Sequence, residues 1–150
     1  MSHITKKKYT LIFLTLLAFS PKLLATNTDP NVNKYNKLEF QKRVWLSAAK
    51  SAHIHALENT YKENNKVTNS VDEYVNNGLH LVIMHWQEPK KDRFDCIGYL
   101  IKINTRLLTL PNKGGYKPIH LAAISNNIDA LDFLIRNGAN IEDRDQDGWT

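Results

Sequence analysis

A single cysteine, Cys96, is all the chain offers for redox chemistry, so no disulfide can close within it. It lies just ahead of an apolar stretch, where it reads as a small buried hydrophobe. Long apolar runs are also missing. The longest, Tyr9–Phe19, has 11 residues, whereas a membrane crossing needs about 20. Nor is there a useful excess of charge. The net +5 comes from 20 Lys and Arg against 15 Asp and Glu, and Lys6, Lys7, Lys8 and Lys22 fall within the first 25 residues, which hold no acid. The remainder carries 16 basic residues against 15 acidic ones. A polyanion binder needs a clustered basic face, and the one cluster beyond residue 25, at Lys90, Lys91 and Arg93, reads as a solvated loop, so nucleic acid is excluded as a partner. No His-Glu-x-x-His or paired Cys-x-x-Cys pattern occurs. The acidic run Glu142, Asp143, Asp145 and Asp147 lacks the ligand order of a calcium loop. With no glycine-rich phosphate loop and no nucleophile-and-base constellation either, the expectation is a non-catalytic protein with no metal and no cofactor.

What is present begins with a basic stretch at Met1–Lys8, the apolar core Tyr9–Phe19, a helix break at Pro21 and a small residue at Ala25. This is the pattern of a secretory signal peptide over residues 1–25. It predicts export to a periplasmic or extracellular space, with membrane contact only in transit. Residues 26–35 are polar and read as a linker. Asn36-Lys37-Leu38-Glu39 has the form of a capping box. Trp45, Ala48, Ala49, Ala52 and Ala56 then recur at spacings of three and four, with Phe40, Val44, Ile54 and Leu57 widening the stripe. One helix from about residue 37 to Glu58 is expected, followed by a polar loop over 61–69. Ser70-Val71-Asp72-Glu73 reads as a second capping box, opening a short helix that ends near Asn77-Gly78. Together these make an N-terminal helical cap over residues 36–76.

The rest is organised by repetition. Gly115 and Gly148 lie 33 residues apart; the first opens Gly-Tyr-Lys-Pro-Ile-His-Leu-Ala-Ala, the second Gly-Trp-Thr. Gly138-Ala139-Asn140 stands eighteen residues after His120. Leu79-His80-Leu81-Val82-Ile83-Met84 looks like a degenerate copy of Ile119-His120-Leu121-Ala122-Ala123-Ile124, and Ile97–Ile101 like Leu131–Ile135. The two histidines are 40 residues apart, and most of the excess is assigned to an enlarged loop over His85–Asp95. A period of 33 with this content resembles the ankyrin repeat. The resemblance covers a degenerate repeat (77–113), a good one (115–147) and the opening of a third (148–150), about half of the chain. Lys117 departs from the usual threonine of the motif and Gly78 from the usual proline.

The resemblance implies an all-α fold of helix-turn-helix repeats with hairpin-like fingers, preceded by the N-terminal cap. It gives Gly115, Pro118, His120, Leu121, Ala122, Ala123, Leu134, Gly138 and Gly148 structural roles. Pro118 fits the first turn of a helix and Gly138 a left-handed stop. It implies a function in gripping another protein, with Asn112, Lys113, Tyr116, Arg144, Asp145, Gln146 and Trp149 exposed on fingers and Ile124, Ser125 and Asn126 following the first helix. Because one repeat cannot cover both of its faces, the surface left by Phe133 and Leu134 implies self-association or marginal stability. Two other readings stand beside this one: the amino-terminal stump of a longer array or multidomain effector, and a small helical protein binding a ligand or metal at His53, His55 and His85.

Overall fold

Ser51–His53 interrupts what the periodicity marks as one continuous helix, and that break sets the organisation of the chain. A computed structural model describes residues 30–86 and 90–150. The expected signal peptide lies outside them. The elements are α1 (Pro30–Lys50), α2 (Ile54–Glu63), a 3-10 turn (Asn65–Asn69), α3 (Gly78–Met84), α4 (Lys90–Ile103), a second 3-10 turn (Thr105–Leu108), α5 (Pro118–Ile124) and α6 (Ile128–Arg136). Among the described residues there is no strand, only an isolated antiparallel bridge between Val71 and Asn77. The chain divides into residues 1–39 and 40–150. Of the first unit the described part is the opening of α1, with Tyr35 exposed.

Several boundaries differ from expectation. Helix α1 begins at Pro30, so residues 30–35 are helical rather than linker and Asn36-Lys37-Leu38-Glu39 lies inside the helix rather than at its start. At the other end Ala52 takes a left-handed backbone, φ 53°. There the Ala52 N–H donates to the Ala49 carbonyl and the His53 N–H to the Ala48 carbonyl. The same pattern follows α5: Asn126 has φ 51°, and the Asn126 and Asn127 N–H groups donate to Ala123 and Ala122. Residues 47–63 therefore form a helix-turn-helix of the same construction as 121–136. Helix α2 also takes in Tyr61–Glu63, expected as loop. In the middle copy, the segment expected as an enlarged loop already contains the start of α4. Much of the excess lengthens that helix to 14 residues, against 10 and 9 for its counterparts.

Three turns of one design join these pairs. Asp72, Asn112 and Asp145 each place Oδ1 under two backbone N–H groups, those of residues two and four further on, at 2.9–3.1 Å. Each residue's own N–H also donates to the carbonyl four residues on. Ser70–Glu73 is thus the entry to the first finger and not a helix start; the Ser70 hydroxyl is buried without a partner. The third residue after each anchor is left-handed: Val75 at φ 62°, Gly115 at 77°, Gly148 at 83°. Glycine takes this conformation at no steric cost, whereas a β-branched residue is strained by roughly 1–3 kcal/mol. Val75→Gly should therefore raise stability by about 1 kcal/mol once the added chain entropy of glycine is deducted; urea unfolding followed by circular dichroism measures this, and an unchanged or lower midpoint would show that the finger carries no such strain.

Stacking buries Trp45, Leu57, Leu79, Ile83, Ile97, Leu100, Leu107 and Leu134 completely. Gly78 is part of that packing. A Cβ there would stand 3.4 Å from both Trp45 Nε1 and Leu100 Cδ2, at the near limit of ordinary contact, so a larger residue would press on both side chains. In α5, Leu121 and Ala122 are buried but Ala123 faces outward, contrary to its expected packing role. Leu134 is likewise fully buried, and Phe133 lies on Phe94 at 5.0 Å between centroids, so neither leaves the open surface expected of them. The uncovered apolar residues of the last copy are Ile124, Ile128, Ile135 and Ile141.

Candidate protein-binding surface

Histidine ties the second and third fingers to the helix pairs behind them. The Asn77 N–H donates to His80 Nδ1 at 3.2 Å, and His80 Nε2 meets the Tyr116 carbonyl at 3.0 Å. His120 repeats this with the Lys117 N–H at 3.0 Å and the Asp143 carbonyl at 2.9 Å. An Nδ1 that accepts fixes the proton on Nε2, so both rings bridge successive repeats as neutral donors. Burial of His80 lowers its pKa to about 4. Lys117 has no hydroxyl to cap α5; its ammonium pairs instead with Asp143 at 2.8 Å. At the head of α3, Asn77 Oδ1 caps the N–H groups of Leu79 and His80 at 2.9 and 3.1 Å.

These ties determine which of the sequence-predicted binding residues are free. Asn112 is held by the Gly114 and Tyr116 N–H groups and donates to Asn76 at 2.9 Å; Asp145 is held in the same way. Both build fingers. Tyr116 is half-buried against the core. Gln146 is exposed and abuts Gly115 so closely that a Cβ on the glycine would come within 2.7 Å of it. Lys113, Arg144 and Trp149 are exposed, Trp149 at 74%, and Arg144 Nη1 donates to the Gly148 carbonyl. Ile124, Ser125 and Asn126 are exposed too, but at the far end of α5, a seven-residue helix of about 10 Å at 1.5 Å per residue. The predicted set thus divides into a finger edge and a helix-turn edge.

Sequence reasoning missed Tyr74 on the first finger, 60% exposed, and Met84, 46% exposed. Met84 stands forty residues before Ile124, so the repeat register could have found it. Tyr74 was hidden because the glycine that marks the other two fingers is Val75 in the first. At the helix-turn edge, Ile83, Met84 and Trp86 face Ser125–Asp129 across an open cleft of ≈ 490 Å³. Trp86 packs edge-on against Phe94 at 5.3 Å.

The remaining reactive groups are arranged for packing. Cys96 is fully buried and its thiol is pushed up to about 12 by burial. His53 sits at the start of α2, exposed His55 lies 3.3 Å from Glu58, and His85 belongs to the turn after α3. Among the described residues no three His, Cys, Asp or Glu side chains converge as metal ligands would, and no helix is long and apolar enough to cross a membrane.

A family model of ankyrin repeats, in three copies, matches residues 45–145, and the chain belongs to that family. The match starts at Trp45, within the stretch expected as a cap, in agreement with the helix pair found there. Ankyrin repeats serve as protein–protein interaction modules, and that class of function holds for this chain. A search of curated proteins finds no match.

Proposed function

We propose that this is an exported, non-catalytic ankyrin-repeat protein that grips another protein with its finger edge. The observation that carries the reading is the trio of equivalent fingers, each pinned by an Asx anchor and two of them by a buried histidine, with Tyr74, Lys113, Arg144 and Trp149 left outside. A rigid backbone carrying exposed Tyr, Arg and Trp suits an interface, because those residues anchor interfaces at little ordering cost. Export follows from the leader pattern of residues 1–25. Ile135 and Ile141 are 41% and 58% exposed, while Ile101 and Leu108, their counterparts one repeat earlier, are 6% and 5% exposed. This supports self-association through Ile135 and Ile141.

The test joins a phosphatase that is active only outside the cytoplasm to the carboxyl end of the full chain. Activity should appear, and should vanish when Leu14→Arg breaks the apolar core; activity lost in neither or absent from both would refute export. Cross-linked partners are then captured with the parent and with a Trp149→Ala, Arg144→Ala double variant. Loss of one defined partner supports the finger edge, whereas an unchanged set places binding elsewhere. Sedimentation across a range of concentrations reads self-association, and a constant monomer mass would exclude it.

A further inference from the structure

The helix-turn edge combines a recessed apolar wall with cations beside it that pair with no described carboxylate. Lys50, Met84 and Ile124 close α1, α3 and α5 respectively. The last two are apolar and exposed, Ile124 at 66%, and Ile128 beyond them is 65% exposed. Between Met84 and Ile128 lies the ≈ 490 Å³ cleft. Trp86 is braced there by Phe94 at 5.3 Å, which in turn rests on Phe133 at 5.0 Å, so this wall is held in place before anything binds. Asn127 keeps Oδ1 on the Ala130 N–H at 3.0 Å, and its Nδ2 has no partner.

The positive charge lies on the side of the first helix pair, while Asp129 lines the cleft from the α6 side. Arg93 is 5% exposed and donates Nη1 to the Lys50 carbonyl at 2.8 Å, which holds a guanidinium beside the end of α1. Among the described residues no carboxylate pairs with Arg93 or Lys50. His85, between the cleft residues Met84 and Trp86, has its pKa lowered by burial and then by the fields of Lys50 and Arg93. Asp72 acts on it in the opposite sense and more weakly, and its carboxylate is already engaged by Tyr74, Asn76 and the Asn76 amide. Lys91 is paired with Asp95, while Asp92 is an exposed acid in the first turn of α4.

We infer that this edge is a second docking surface, for a short peptide segment that places an apolar side chain between Met84 and Ile128 and a neighbouring carboxylate against the exposed Lys50, with the buried Arg93 adding its charge from behind. The apolar contact gives affinity in proportion to the area removed from water. The carboxylate pairs with the exposed Lys50 ammonium in the field of the buried Arg93 guanidinium, which fixes the direction of the peptide. A basic or uniformly polar segment gains neither. Because the surface lies at the opposite end of α3 and α5 from the fingers, both could be occupied at once.

A random peptide library displayed on phage, panned against the full-length protein, tests this. Recovered sequences should carry an aliphatic or aromatic residue within two positions of Asp or Glu. Their affinity should fall about tenfold or more with either Met84→Asp or Lys50→Glu, and with added salt, while Trp149→Ala leaves it unchanged. Met84 and Lys50 are both exposed, and thermal melts of the two variants matching the parent would show that the fold is intact. Peptides without an acid, no enrichment at all, or binding indifferent to both substitutions would overturn the inference. Peptides lost with Trp149→Ala and retained with Met84→Asp would overturn it too while supporting the finger edge.

Discussion

Trp45→Ala is expected to lower the unfolding free energy by about 3–5 kcal/mol, the range for removing a fully buried large aromatic. Small domains have about 5–15 kcal/mol in total, so the first helix pair should lose its cooperative melt or the whole chain should unfold near room temperature. Trp45 is completely buried, lies against Gly78 at the head of the next pair, and so couples the first repeat to the second. Its indole Nε1 has no hydrogen-bond partner, and an orphaned buried donor costs roughly 1–3 kcal/mol. Trp45→Phe retains much of the ring and removes that donor; its cost should be well under half that of the alanine variant. Urea titrations of the three proteins by circular dichroism decide the matter. Equal losses for Phe and Ala would mean that the ring's packing is not what joins the repeats.

Acidification should produce the second large effect. His80 is neutral in the folded chain, with Nδ1 accepting from Asn77 and Nε2 donating to Tyr116. Protonating Nδ1 turns an acceptor toward an N–H group inside a fully buried site. The folded pKa is lowered from 6.5 to about 4 by burial. Between those values the unfolded chain binds the proton and the folded chain does not, so stability rises with pH through this window. The contribution is fully present above pH 6.5 and is lost as the pH falls toward 4, on the order of 3 kcal/mol in all. Urea midpoints measured from pH 7.5 to 4 should show this slope. His80→Gln, which keeps an acceptor and a donor but no titration, should start lower at pH 7.5 and lose less on acidification. A variant with the parent's pH slope would assign the effect to other groups.

Much of the last copy could be read directly. Gly115, Pro118, His120 and Gly138 each answer a local demand, whether a positive φ, a preset first turn, a bridging ring or a helix stop, and such demands leave residue-type signals. The first copy gave none of them. Ala52 and Val75 hold left-handed conformations that glycine or asparagine would advertise, and the alanine stripe from Trp45 to Ala56 keeps helical spacing straight through the break at Ser51–His53. Periodicity reports which residues are apolar and not whether the backbone turns between them. In the middle copy the extra residues looked like loop, because charge and a proline interrupt the pattern; much of that length instead extends α4.

The binding surface was legible to a similar degree. Family position picked out the finger residues, but Asn112 and Asp145 turn out to hold up the fingers, since whether an amide or carboxylate faces a partner or its own backbone depends on a turn that closes through N–H groups two and four residues away. The helix-turn edge was half seen, in Ile124, Ser125 and Asn126; its other wall needed Met84 and Trp86 brought across from a copy forty residues earlier.

The sequence by itself determined the repeat length, the all-α class, the histidine ties and the fingers marked by glycine, because each depends on forces acting within a few residues. Tertiary structure alone decided that residues 47–63 form a helix pair, that Gly78 packs beneath Trp45, and that Met84 and Ile128 line one cleft. Those outcomes depend on which surfaces meet when the pairs stack, and burial between distant segments leaves no mark in local spacing.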